Sequence, residues 1–110
     1  MARYGSILRI RPEYKEEYKK AHDEIWPELA QEIRKAGIRN YTIFFREDGM
    51  LFSYLETDLD SQTFKKNMEE YWKKDIAKRW SAYMNKYIIK SDPAIVGPES
   101  EDLEEVFHLD

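Results

Sequence analysis

Hydrophobic and polar residues alternate along residues 3–11, and the pattern changes at Pro12. Strict alternation predicts a β-strand with one buried face. From Pro12 onward apolar residues recur every three or four positions, which is the spacing of one helix face. They are Tyr14, Tyr18, Ala21, Ile25, Leu29, Ile33 and Ala36. Because this spacing continues across Pro27, which lacks the N–H of a helical hydrogen bond, we expect a kinked helix or two abutting helices.

A β-hairpin is predicted next. Residues 38–45 and 50–57 are rich in β-branched and aromatic residues, as strands are. An Asp-Gly pair at 48–49 favours the positive φ angles of a tight turn, so the two strands should pair antiparallel. In the first strand Asn40 and Tyr41 should face opposite sides of the sheet.

The second half of the chain predicts two helices, a loop and a last strand. Helical spacing indicates helices at 61–71 and 72–88. The apolar stripe of the later helix is Ile76, Trp80, Tyr83, Met84 and Tyr87. Two prolines and a glycine make residues 91–102 a predicted loop, and residues 103–109 a predicted terminal strand.

This order of elements, β-α-β-β-α-(α)-β, predicts the ferredoxin-like split βαβ arrangement, an α+β fold with an antiparallel sheet and helices on one face. We expect one domain over residues 1–110, since a second would lack the chain to bury its own core. Two open sheet faces packed together would form a dimeric α/β barrel. The high aromatic content, 15% of residues, fits such an interface. The open side of the sheet, closed by the first helix, is then the expected cavity.

Composition excludes several classes of function. A net charge of −4 argues against a nucleic-acid partner, which usually requires a basic face. The chain has no cysteine, which excludes disulfides, thiol catalysis and cysteine-bound metals. It also has no apolar run long enough for a signal peptide or a membrane span, so we expect a cytoplasmic protein with no membrane partner.

His22 is the main candidate for chemistry. Tyr18 and Trp26 lie four residues to either side of it and would share its helix face. A histidine can donate and accept protons near neutral pH, so His22 suits general acid–base catalysis, although a lone histidine is more often structural. Its neighbours Asp23 and Glu24 point in other directions, and no metal site is expected. No Gly-x-Ser-x-Gly nucleophile motif occurs.

Four separated segments resemble the L-rhamnose mutarotase family, and the resemblance covers nearly the whole chain. They are His22-x-x-Ile25-Trp26-Pro27-Glu28-Leu29, Asn40-Tyr41, Arg79-Trp80-x-x-Tyr83-Met84 and Leu103-x-Glu105-Val106-Phe107-x-Leu109. The resemblance implies a homodimeric ferredoxin-like barrel made of single mutarotase-like domains. It also implies interconversion of the α and β anomers of L-rhamnose without a metal or an organic cofactor.

By position, the resemblance implies that Tyr18, Tyr41 and Trp80 bind the sugar and that His22 is the proton donor. On the residues alone, the aromatic rings could equally be core. The chain departs from the family at Ser81, where a second tryptophan is expected beside Trp80. It departs again at position 108, where histidine replaces an expected tyrosine.

Two other functions fit the same fold. A dimeric-barrel monooxygenase, either cofactor-free or haem-degrading, could use Asn40, His22 and one of Trp26 and Trp80. A non-catalytic dimer that binds a small ligand makes few demands on the sequence. The segments around Trp26 and Phe107 favour the mutarotase.

Overall fold

The computed structural model describes every residue from Met1 to Asp110 and contains one four-stranded antiparallel sheet with helices on one face. In chain order the elements are β1 (Ala2–Arg9), α1 (Lys15–Asp23), α2 (Pro27–Lys35), β2 (Arg39–Phe45), β3 (Met50–Thr57), α3 (Ser61–Lys73), α4 (Asp75–Met84) and β4 (Glu101–Leu103). The strand order is β2-β3-β1-β4. This confirms the predicted ferredoxin-like α+β fold.

The alternation in β1 and β3 builds the core. Leu8 and Ile10 point toward the helices with Leu51, their neighbour on β3, and pack against the inner sides of α1 and α4. The predicted hairpin is confirmed as well, since the Arg46 amide donates to the Met50 carbonyl at 2.8 Å. Gly49 supplies the positive φ, +93°, that this turn requires.

Pro27 separates two helices. α1 ends at Asp23, Trp26 is extended, and Pro27 occupies the first turn of α2. That position suits proline, because the first amides of a helix have no intrahelical partner to lose. Of the two predicted outcomes, the structure has two abutting helices.

None of the helices combines the length and the apolar character needed to span a membrane.

The predicted terminal strand over residues 103–109 is wrong. Only Glu101–Leu103 pairs with β1, and Gly5 lies opposite Leu103. In that antiparallel register Phe107 would already face Met1, so the rest of the tail runs past the end of the sheet. Its apolar side chains, Val106, Phe107 and Leu109, are exposed.

The boundary between the last two helices is also later than predicted. Trp72 belongs to α3, and Lys74 takes an extended conformation before α4 begins at Asp75. The apolar stripe of α4 nevertheless faces the core as predicted. Ile76 and Met84 are buried, and Trp80 and Tyr83 are partly buried.

Candidate active site

The His22 imidazole is anchored by a hydrogen bond to its own helix. Its Nδ1 lies 2.9 Å from the carbonyl oxygen of Tyr18. A carbonyl oxygen only accepts, so Nδ1 carries a hydrogen, and the neutral ring keeps its lone pair on Nε2. Burial lowers the pKa of His22, and the Tyr18 carbonyl and the Asp23 carboxylate only partly oppose this. At neutral pH the ring is therefore uncharged and Nε2 can accept a proton.

Aromatic rings surround His22. The Tyr18 ring lies 4.3 Å from it, centroid to centroid, and the Trp80 ring meets it edge-on at 5.4 Å. Trp26 does not continue the stripe of α1, because the helix ends before it. Its ring instead packs against Trp80 at 5.1 Å and stacks on Tyr83 at 5.9 Å.

Tyr41 reaches the same region from β2, the edge strand. Asn40 adopts a positive φ of 50° at a break in the β2–β3 register, and Tyr41 follows it. As a whole residue Tyr41 is 46% exposed, and its exposed part is the ring rather than the hydroxyl, which is desolvated. Burial raises the pKa of Tyr41, and a hydrogen bond with Ser53 partly opposes this rise. Ser53 is a buried residue on the helix-facing side of β3.

Tyr18 and Tyr41 lie within range of a weak electrostatic interaction. Burial raises the pKa of Tyr18, and the proximity of the Tyr41 hydroxyl raises it further. Both phenols therefore stay neutral and can each donate and accept a hydrogen bond. The structure thus brings Tyr18, His22 and Trp80 into contact, and Tyr41 lies on the same side of the sheet, within electrostatic range of Tyr18.

The expected position of the cavity is wrong. These four side chains lie between the sheet and the helices, whereas the open side of the sheet was expected to hold the site. The error comes from α1, which packs on the core-facing side chains of β1 and so places His22 on the covered face. Two depressions lie along the β1–β3 and β1–β4 part of the sheet, one beside Met50 and one beside Phe52, and neither is lined by any of these four residues.

The structure separates the residues that a monooxygenase site would need. The Asn40 amide donates to Glu56 at 2.7 Å, and Glu56 also accepts from Tyr54 at 2.6 Å. Tyr54 and Glu56 face the open side of the sheet, away from His22. No group of three or more histidine, aspartate or glutamate side chains converges as metal ligands would.

Ser81 does not face the candidate site. Its hydroxyl accepts a hydrogen bond from the Gly97 amide at 2.9 Å, in a buried position. The Trp72 indole packs against the other side of Gly97. Ser81 therefore anchors the 91–100 loop to α4.

Sequence reasoning missed two hydroxyl-bearing residues near this cluster. One is Ser53, which lay in mid-strand with no sign of its partner. The other is Tyr71 of α3, a buried residue whose pKa is raised by burial and then by Tyr41 and Glu32. Helical spacing placed Tyr71 at the end of a predicted helix and gave no sign that its side chain is buried.

Fold and site together define a small ferredoxin-like α+β protein with one uncharged histidine in an aromatic cluster. The family model described as L-rhamnose mutarotase matches residues 3–109. An L-rhamnose mutarotase of Listeria monocytogenes is 41% identical over 110 residues, 99% of each chain. The chain belongs to the L-rhamnose mutarotase family.

Two solved structures resemble the fold. The crystal structure of an L-rhamnose mutarotase from Formosa agariphila has a TM-score of 0.81 and 28% identity, and the match covers 100% of each chain. A dimeric ferredoxin-like protein from an uncultured marine organism has a TM-score of 0.66 and 18% identity over 98% of each chain. The second likeness concerns the fold alone.

Proposed function

We propose that this chain interconverts the α and β anomers of L-rhamnose, with His22 as the acid–base group and Tyr18, Tyr41 and Trp80 as sugar-binding residues. Family membership supports the reaction. The observation that carries the role of His22 is its hydrogen bond to the Tyr18 carbonyl, which fixes the tautomer and leaves Nε2 as a proton acceptor.

Mutarotation moves protons between two oxygens on the same carbon. Opening the pyranose removes the proton of the anomeric hydroxyl and adds one to the ring oxygen; closure onto the other carbonyl face reverses these transfers. A neutral His22 begins as the base: Nε2 accepts the anomeric proton. The imidazolium then donates a proton to the ring oxygen, which restores the neutral ring. This order refines the expectation of a proton donor, because the resting ring has no proton to give from Nε2.

The tyrosines and the tryptophan have different tasks. Neutral phenol groups at Tyr18 and Tyr41 can donate to or accept from sugar hydroxyls. The indole of Trp80 offers an apolar surface suited to the C–H face of a pyranose, and it also packs perpendicular to the His22 ring at 5.4 Å. No step requires a nucleophile that forms a covalent bond to the sugar.

The pH dependence of anomer exchange follows from the lowered pKa of His22. Activity requires the neutral ring, so it should persist at pH 6.5 and fall only at lower pH, with the midpoint of the acid limb below 6.5. Exchange rates measured by NMR between pH 4.5 and 8, less the rates in buffer alone, give this profile.

Asp23→Asn provides a comparison for that profile. The Asp23 carboxylate favours the charged imidazole, so its removal should move the acid limb to still lower pH. An acid limb centred at or above 6.5 in the unmodified protein would contradict the assignment of a buried, neutral His22.

We further propose that two copies form a homodimer through their open sheet faces. Phe44 and Phe52 on that face are 58% and 38% exposed, and their rings stack at 6.2 Å. Gly5 lies beneath Phe52, and the absence of a Cβ lets the ring lie against β1. An exposed apolar strip of this kind marks an interaction surface, and a two-fold axis would bury the same strip on both copies.

A charge placed in that strip should prevent dimerisation. Phe52→Arg is expected to elute and scatter light as a single chain, while the unmodified protein has twice the mass of one chain. Ile95→Arg, at an exposed loop position outside the sheet, should stay dimeric. A monomeric unmodified protein at micromolar concentration would rule out this interface.

A further inference from the structure

Asn40, at the break in the β2–β3 pairing, has a backbone conformation that its neighbours lack. Its φ is 50°, and no other residue except glycine has a positive φ. Most L-amino acids avoid this left-handed region for steric reasons, whereas asparagine is several-fold enriched there. The mechanism above gives Asn40 no part in sugar binding or proton transfer.

The break in the pairing is a β-bulge. Between two successive β2–β3 pairs, β2 has two residues, Asn40 and Tyr41, where β3 has only one. The flanking pairs are Arg39 with Glu56 and Thr42 with Tyr54. In one frequent type of bulge the first of the two residues is a left-handed glycine, and here Asn40 takes that place. Bulges of this kind re-aim a side chain when they lie next to a site.

The side chain that this bulge re-aims is Tyr41. Side chains alternate along a strand, and paired residues share a face of the sheet. Counted from Arg39, which pairs with Glu56 of the open face, Tyr41 would lie on the open face of a regular strand. Counted from Ile43, which pairs with Ser53 and packs on the core, Tyr41 lies on the helix-covered face. The extra residue therefore moves Tyr41 to the side that carries the candidate active site.

The Asn40 side chain holds the bulge from the opposite face. Its amide donates to Glu56 Oε1 at 2.7 Å, and the other carboxylate oxygen accepts from the Tyr54 hydroxyl at 2.6 Å. The Thr42 hydroxyl donates to the Asn40 carbonyl at 3.2 Å. A glycine would adopt the same φ but would have no amide to bind Glu56. Asparagine combines the left-handed backbone with this bond.

We infer that Asn40 is a positioning residue for Tyr41: its left-handed backbone, held by the bond to Glu56, places the Tyr41 side chain where it binds the sugar. The inference rests on the proposed function, in which Tyr41 is a sugar-binding residue. Asn40 faces the open side of the sheet with Glu56, so it acts only through Tyr41. Its loss should weaken sugar binding and leave proton transfer by His22 intact.

Asn40→Val tests this inference, because a β-branched residue is a genuine outlier in the left-handed region. Tyr41 then loses its place, and KM for L-rhamnose should rise roughly three- to tenfold, the effect of one lost neutral hydrogen bond, with kcat nearly unchanged. Asn40→Gly is the matched variant. Glycine adopts the same φ without strain, so its KM should stay within about twofold of that of the unmodified protein.

Thermal melting shows whether each variant is folded. Should Asn40→Val unfold, Asn40→Ala takes its place, since alanine lacks the second branch at Cβ that makes valine the more strained residue here. Its KM should lie between those of Asn40→Gly and Tyr41→Ala.

The double variant Asn40→Val, Tyr41→Ala separates positioning from a general loosening of the fold. If Asn40 acts only through the Tyr41 side chain, valine should not raise KM further once that side chain is absent. A bulge that only kept the edge strand from pairing with other sheets would leave KM unchanged in Asn40→Val. A general loosening would raise KM equally with and without the Tyr41 side chain. Either of these last two results would overturn the inference.

The same measurements distinguish failure of this inference from failure of the proposed function. If Tyr41→Ala leaves KM unchanged while the unmodified protein accelerates exchange, the inference and the sugar-binding role of Tyr41 are wrong, and the role of His22 stands. If the unmodified protein accelerates no exchange, the proposed function itself fails.

Discussion

Replacing His22 by alanine is expected to remove the protein's acceleration of L-rhamnose anomer exchange. A positioned acid–base group typically contributes about 10²–10⁴-fold to a rate, and here one imidazole serves both oxygens of the reacting carbon. The exchange rate with His22→Ala should therefore fall to nearly the rate in buffer. NMR magnetisation-transfer between the two anomeric protons measures this rate at equilibrium.

Two further variants separate lost chemistry from lost structure. In His22→Gln the amide can still donate to the Tyr18 carbonyl, but no group titrates, so the protein should fold normally and remain inactive. His108→Ala removes the only other histidine, which lies in the exposed tail with its Nε2 2.8 Å from Asp110. Its exchange rate should equal that of the unmodified protein. Full activity in His22→Gln would show that His22 has a structural role only and takes no part in proton transfer.

Trp80→Ala is expected to have the largest effect on stability among the site residues. Trp80 meets His22, Trp26 and Tyr83 edge-on and joins the two apolar clusters of the core. Truncating a core tryptophan costs about 3–5 kcal/mol, and because Trp80 is only partly buried we expect about 3 kcal/mol. Denaturant unfolding gives the free energy of unfolding, and the slope m should stay the same.

Trp80→Phe is the comparison for that variant. A phenylalanine keeps an aromatic ring against His22, so most of the stability should return, while a smaller surface remains for the sugar. The anomer-exchange assay should therefore show a higher KM for Trp80→Phe in a well-folded protein. If Trp80→Ala unfolds at the same denaturant concentration as the unmodified protein, Trp80 does not join the clusters as described.

Local signals predicted most of the fold because each acts within a few residues. Asp48 and Gly49 close the hairpin through backbone angles that only their own positions determine. The periodic apolar residues from Tyr14 to Ala36 define the buried faces of α1 and α2 independently of contacts with distant parts of the chain. Pro27 alone could not distinguish a kinked helix from a new helix, since proline occurs both at helix kinks and in the first turn of helices.

Long-range geometry accounts for what the sequence did not predict. The tail residues alternate like a strand, but the register with Gly5 runs off the end of β1, and only the fold defines that register. The side of the sheet that carries His22 depends on how α1 packs, which periodicity does not specify.

The family resemblance and the geometry play complementary parts in the account of His22. The resemblance selects this histidine from two and assigns it a proton-transfer role. The geometry adds the tautomer and the protonation state, because the Tyr18 carbonyl holds Nδ1–H and burial disfavours the imidazolium. The measured activity of the His22 variants tests both additions.

The rate of α/β exchange in L-rhamnose, measured by NMR with and without the unmodified protein, tests the central claim most directly. L-Fucose and other aldoses, measured in parallel, report specificity. We predict faster exchange with the protein, fastest for L-rhamnose, and loss of this acceleration in His22→Ala. Exchange at the buffer rate for every aldose, even with sugar-dependent stabilisation of the fold, would contradict the account and indicate a non-catalytic binding protein.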